Sequence, residues 1–244
     1  MTPTIPGWLE PFSRPVADAV LRVLDGAPGR RTACFDADGT LWSEDIGEAS
    51  YRSLLAGGVL PTLPGADPEA VYRDYEARVD VDRSAGYAWA VQCMAGVRES
   101  DLAVWSRQMA YAWPNYRPAM TGLVRGLTAA GVDVWIVSAS NVWVVRAAVA
   151  RLGVAPDRVI AMESVVRDGV LTDEMVRPLI CLEGKVEAID RYIGVRPDLA
   201  AGDSVGDLAM LAAAREPIVI GRHDLPGNAL LREAAARGWP VHLF

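Results

Sequence analysis

The chain alternates between two patterns of apolar positions. Over 8–25, Leu9, Phe12, Val16, Val20, Leu21 and Leu24 recur at helical spacing, then meet Gly26, Pro28 and Gly29. That predicts an amphipathic helix with a stop signal. The run 32–35 is apolar without alternation, as in a strand buried on both faces of a parallel sheet. It leads into Asp36-Ala37-Asp38-Gly39-Thr40-Leu41. From 43 to 117 the spacing predicts only helices, at 44–56, 67–80, 84–96 and 100–112. Alternation then returns. Helices are expected at 118–130, 141–152, 185–192 and 207–214, and strands at 132–137, 159–161, 199–201 and 218–220, with a hairpin turn at Arg167-Asp168-Gly169-Val170. Strands alternating with helices predict an α/β fold with a doubly wound parallel sheet, whose ligands gather at the carboxyl ends of the strands. The reading divides the chain into a discontinuous core, 1–42 and 118–244, and a helical insert, 43–117.

Composition narrows the function classes. The 244 residues are 51% apolar and 23% charged, with a net charge of −7. Such a chain buries a large core and is not disordered. It has no basic run, so neither nucleic acid nor an anionic membrane surface is an expected partner. No apolar stretch approaches the length of a membrane span, and the first residues do not read as a secretory signal, so a cytoplasmic protein is expected. Cys34, Cys93 and Cys181 are too few and too scattered for a disulfide framework. With only His223 and His242, a multi-histidine metal centre or a Ser-His-Asp hydrolase is hard to build.

Four elements carry candidate chemistry. Asp36 and Asp38 stand at a buried strand end, where carboxylates are costly unless paired or bound to a hard cation. Gly39 allows a tight turn there, although an Asp-Gly turn after a strand would look the same. Ser138 ends the run VWIVS; its hydroxyl and the N–H groups that follow, beginning with Ala139, suit a phosphate oxygen or simply a helix N-cap. Lys185 is the chain's one lysine. It suits neutralisation of phosphate and carboxylates together, or plain solvation. Asp203 and Asp207, in Gly202-Asp203-Ser204-Val205-Gly206-Asp207, present two acids from a loop and a helix start, where the helix dipole alone also favours an acid. GxGxxG and GxxxxGK[ST] motifs are absent, so dinucleotide-binding and P-loop readings have no support.

In this order, the four elements resemble the haloacid dehalogenase superfamily of aspartate-nucleophile hydrolases, in its phosphatase branch. The insert after the first element is similar to the small helical cap of the phosphoserine phosphatase-like group. The resemblance implies a phosphomonoesterase acting on a small phosphate ester. Asp36 would be the nucleophile that forms an aspartyl-phosphate, and Asp38 the acid and then the base. Mg²⁺ would be held by Asp36, Asp38 (through its carbonyl), Asp203 and Asp207. Ser138, Ala139, Lys185, Gly39 and Thr40 would surround the phosphoryl group. Asp38 sets the chain apart from the superfamily's dehalogenases, which lack a second acid, and from its transport ATPases, which carry threonine there. Gly206 departs from the GDGxND pattern frequent in phosphoserine phosphatases. Asp45, nine residues after Asp36, stands where that group places an amine-binding glutamate; Glu44 and Glu48 lie beside it, and a helix-start acid is the alternative. The segment 83–92 lacks the group's carboxylate-binding arginine, although Arg83 and Arg98 flank it. The acid at Asp45 implies an aminated substrate such as phosphoserine or phosphocholine, and the missing arginine weakens the case for phosphoserine. Tyr87, Trp89, Trp105 and Trp113 either cage an ammonium group or, as expected, fill the core of the insert. The alternative activity is a phosphotransferase or phosphomutase that uses the same aspartyl-phosphate.

Overall fold

The computed structural model describes residues 5–26, 29–223 and 228–244; Pro28 of the expected stop signal lies outside them. The helix expected over 8–25 is divided: a 3₁₀ turn at Gly7–Leu9 precedes α1 (Arg14–Leu24). Inside one continuous helix Pro11 and Pro15 would each clash with the carbonyl four residues back, and Pro15 instead sits in the first turn of α1. Next come β1 (Thr32–Phe35) and four helices, α2 (Ile46–Ala56), α3 (Pro68–Val81), α4 (Arg83–Gln92) and α5 (Glu99–Ala112). Asp45, Asp67 and Asp82 start α2, α3 and α4, each accepting a hydrogen bond from an N–H of the first turn. The chain continues through α6 (Pro118–Ala129), β2 (Asp133–Asn141), α7 (Val142–Val149), β3 (Val159–Met162), the hairpin β4 (Ser164–Arg167) and β5 (Val170–Met175), and α8 (Glu183–Tyr192). It ends with β6 (Leu199–Gly202), α9 (Leu208–Ala213), β7 (Glu216–Gly221), α10 (Ala229–Arg237) and β8 (Val241–Leu243).

Six strands form one parallel sheet in the order β3-β2-β1-β6-β7-β8. β1 is central, with β2 on one side and β6 on the other, so the connections diverge at its carboxyl end. Its two faces feed two cores. Ala33 and Phe35 pack with Val20, Leu123 and Val144, while Cys34 packs with Val137, Ile189 and Met210. Burial on both faces is why 32–35 shows no alternation.

Three differences from expectation bear on the site. β2 continues past Ser138 to Asn141, with an irregular register against β3 between those residues. α4 stops at Gln92, because Gly96, at φ +88°, turns the chain so that its N–H donates to the Leu171 carbonyl of β5. α10 and β8, which the sequence pattern left unassigned, close the sheet's far edge.

Besides packing on α7 and β2, the helical stretch is tied by backbone pairing in two regions. Its outgoing and returning crossings run side by side: the Ser43 N–H donates to the Asn115 carbonyl, the Arg117 N–H donates to the Leu41 carbonyl, and Trp42 pairs with Tyr116. The hairpin provides a second join, through Leu171 to Gly96 and Val97, Gly169 to Glu99, and Asp173 to the Gln92 amide.

Candidate active site

The carboxyl ends of β1 and β6 bring together groups that lie far apart in sequence. Asp36 follows β1, and its N–H donates to the Ala201 carbonyl of β6. Lys185, in the first turn of α8, is only 2% exposed. Its Nζ donates to Asp36 Oδ1 at 2.7 Å, to Asp207 Oδ1 at 2.6 Å and to the Val137 carbonyl at 2.8 Å. All three ammonium protons are thereby used. Burial alone would lower the Lys185 pKa, but Asp207 and Asp36 outweigh it and hold the pKa above its ordinary value. The second oxygen of Asp207 accepts from the Asp203 and Ser204 N–H groups and from the Ser204 hydroxyl. Asp207 therefore braces both the lysine and the loop after β6.

Asp36, Asp203 and Asp207 each offer a carboxylate oxygen within 4.8 Å of the others. Burial, then Asp207, pushes Asp36 up to about 7, against the pull of Lys185. Burial, then Asp36 and Asp207, pushes Asp203 up to about 9. One lysine does not balance three acids, and an all-oxygen donor set of this kind suits a hard divalent cation. Gly39, at φ +76°, makes the close approach possible, since a Cβ there would lie 2.1 Å from Asp203 Oδ2.

Asp38 is gripped separately. Its Oδ1 accepts from the Trp42 indole N–H and from the Ile46 N–H, both at 2.7 Å, and its Oδ2 accepts from the Ser140 hydroxyl at 2.7 Å. Burial raises the Asp38 pKa; these three hydrogen bonds draw it back, leaving it above its ordinary value.

A cavity of about 300 Å³ opens over Asp36, Asp38, Lys185 and Asp203. Part of its lining comes from the helical stretch and carries Asp45, Glu48, Tyr51, Tyr75 and Tyr87. The Tyr72 and Tyr75 hydroxyls donate to the two Glu48 carboxylate oxygens at 2.9 and 3.2 Å. Burial, then Asp38 and Glu48, drives Asp45 well above its ordinary pKa, although it accepts the Glu48 N–H. This part of the cavity presents two carboxyl groups, Asp45 and Glu48, and three aromatic rings.

Asp36, Asp38, Gly39, Asp45, Ala139, Lys185, Asp203 and Asp207 all line this one cavity. Ser138 is fully buried behind the wall and accepts the Ser140 N–H, while Ala139, Ser140 and Asn141 form the surface. Thr40 is also fully buried, and among the described residues its hydroxyl has no hydrogen-bond partner. Arg83 reaches the cavity, with its guanidinium 4.0 Å from where a Gly206 Cβ would stand. Arg98 instead pairs with Val170 of the hairpin. Of the four flagged aromatics, Tyr87 lines the cavity. Trp89 stacks on Arg78, Trp105 lies against Gly57, and Trp113 is buried in the hydrophobic core that the helical stretch shares with the sheet. Tyr51, Tyr75, Trp42 and Ser140 escaped sequence reasoning. The available signal was a tryptophan immediately after the aspartate motif and a glycine, Gly47, early in a helix.

The site thus combines a parallel sheet, two aspartates after its central strand, a buried lysine between acids and a cavity lined in part by the helical stretch. The chain belongs to the haloacid dehalogenase-like hydrolases, whose family model matches residues 33–212. A Mycobacterium tuberculosis H37Rv protein described as a probable phosphatase is 34% identical over 120 residues, 47% of this chain and 39% of that protein. The chain thus spans about two fifths of the length of the curated relatives it matches. Among solved structures, a Bordetella pertussis Tohama I protein of unknown function superposes with a TM-score of 0.72 at 26% identity, over 88% of this chain and 99% of that one. A phosphoserine phosphohydrolase-like protein from Francisella tularensis shares the fold, with a TM-score of 0.58 at 17% identity over 86% and 94% of the two chains. Among the described residues, no helix is long and apolar enough to cross a membrane.

Proposed function

We propose that the protein is a Mg²⁺-dependent phosphomonoesterase that hydrolyses a small, soluble, aminated phosphate ester in the cytoplasm, through an aspartyl-phosphate on Asp36. The observation that carries this reading is the contact of Lys185 Nζ with Asp36 Oδ1, in a cavity also lined by Asp45, Glu48 and three tyrosines. Lys185 occupies Oδ1, and among the described residues Oδ2 has no donor. In the first step an Asp36 oxygen bonds to phosphorus while the bond to the leaving oxygen breaks, and Asp38 gives that oxygen its proton. In the second step Asp38 takes a proton from water, the water oxygen bonds to phosphorus, and the bond to Asp36 breaks. In this reading the Ala139 N–H and the turn at Gly39 face the phosphoryl oxygens and Lys185 lends its charge, while Ser138 and Thr40, both fully buried, do not reach the cavity. Mg²⁺ would be held by Asp36, the Asp38 carbonyl and Asp203, with Asp207 in support, and would neutralise charge on the transferring group.

The test is phosphate release from phosphoserine, phosphocholine, histidinol phosphate, several sugar phosphates and an aryl phosphate, each with Mg²⁺ and with EDTA. Release that EDTA abolishes is expected. Release that persists in EDTA removes the metal role. No release without an added alcohol, but transfer to one, identifies a phosphotransferase.

Asp45 and Glu48 face the leaving group in this reading, and Tyr51, Tyr75 and Tyr87 complete a cation-binding wall. Asp45→Ala is expected to raise KM for the preferred aminated ester about tenfold, the size of one charge-assisted contact. The KM for a sugar phosphate should stay within about twofold. Equal changes for both substrates would take Asp45 out of the substrate pocket.

A further inference from the structure

We infer that Trp42 and Ser140 are positioning residues that hold the Asp38 carboxyl in a single working orientation, and that the helical insert supplies part of this hold. The inference rests on the assignment of Asp38 as the proton donor in phosphoester cleavage.

Three donors from three segments converge on one side chain. The Trp42 indole belongs to the crossing that leaves the sheet, the Ile46 N–H to the first turn of α2, and the Ser140 hydroxyl to the end of β2. The two oxygens are treated differently. Oδ1 meets two N–H groups, which only donate. Oδ2 meets a hydroxyl, which donates or accepts as its partner requires. Oδ1 is therefore the anchored oxygen, and Oδ2 is the one able to exchange a proton without breaking its contact.

The donors are themselves held in place. Trp42 is fully buried and meets Tyr116 edge-on at 5.6 Å, across the paired crossings of the insert. Ser140 fits beneath α2 because position 47 has no side chain: a Cβ there would lie 2.0 Å from the Ser140 hydroxyl oxygen and 2.6 Å from its Cβ. The seat of α2 and the orientation of Asp38 are thus one structural unit. An alkyl phosphate needs the proton as its poor leaving group departs, whereas a nitrophenyl phosphate departs as a stable phenolate.

The experiment compares kcat/KM for the best alkyl phosphate and for p-nitrophenyl phosphate in Trp42→Phe and Ser140→Ala, with thermal melting as a check on folding. Trp42→Phe keeps an aromatic ring and removes the indole N–H. For the alkyl ester a loss of about 30-fold is expected, within the range of general acid catalysis, and for the aryl ester about threefold or less. Ser140→Ala should follow the same pattern, with a loss of about tenfold for the alkyl ester. In an Asp38→Asn background each change should add less than about twofold, because both act through Asp38. Equal losses on the two esters, or full additivity with Asp38→Asn, overturn the inference. If Trp42→Phe does not fold, the Ser140→Ala comparison decides alone. A wild-type protein that releases phosphate from no ester at all refutes the phosphatase reading itself. That failure is visible before any variant is made, and it removes this inference too.

Discussion

Asp36→Asn is expected to lower turnover of the best phosphate ester by about 10⁴-fold or more while the protein stays folded. The carboxamide has the shape of the carboxylate, and its carbonyl oxygen can still accept the Lys185 ammonium now 2.7 Å from Oδ1. Asp207, at 2.6 Å, continues to balance the lysine charge. The change also removes one of three crowded acids, the one that burial and Asp207 already push up to about 7. Melting of the metal-free variant should therefore match or exceed that of the wild type. In the proposed mechanism what is lost is the nucleophile, since an amide does not form the acyl-phosphate linkage. Acid-quenched wild-type protein should carry one phosphoryl group, and the variant none. Near-normal turnover in Asp36→Asn would remove Asp36 from that role and with it the covalent mechanism.

The parts of the site legible in the sequence were those tied to strand ends and helix starts. Asp36, Asp203 and Lys185 each follow an apolar run or open a helix, and a parallel sheet brings such positions together whatever the loop lengths between them. Lys185 stood out further as the chain's one lysine. Other parts depended on how segments meet. Ser140 reaches Asp38 because β2 runs on to Asn141 through an irregular register, and no local pattern carries that information. The hydrophobic run pointed to Ser138 as the strand's end, yet the cavity surface passes to Ala139, Ser140 and Asn141. Trp42 and Tyr75 look like core residues from sequence, and both are buried; what distinguishes them is the single polar atom each turns toward an acid. The far edge was missed for a simpler reason. β8 is three residues long and α10 is largely alanine and charge, so neither has enough apolar periodicity to be seen.

The second large effect concerns stability as well as catalysis. Lys185→Met, studied in chelator, should destabilise the fold by about 3–5 kcal/mol and eliminate turnover. Methionine replaces most of the lysine stem, so the loss of packing is small and the electrostatic loss dominates. With the ammonium gone, Asp36 at 7% exposure and Asp207 at 1% lose their counter-charge, and the Val137 carbonyl loses its donor. Most of the loss is therefore the cost of stranded acids, and a second substitution separates it from catalysis. Adding Asp207→Asn removes one stranded charge while keeping an acceptor for the Asp203 and Ser204 N–H groups. The double variant should regain about half of the lost stability. It should regain none of the activity, because the cation beside Asp36 is still missing. Urea unfolding of the wild type, both single variants and the double variant closes the cycle. If Lys185→Met is as stable as the wild type, the acids are solvated and the buried charge network does not hold the site together. If the double variant is no more stable than Lys185→Met, the loss comes from packing instead.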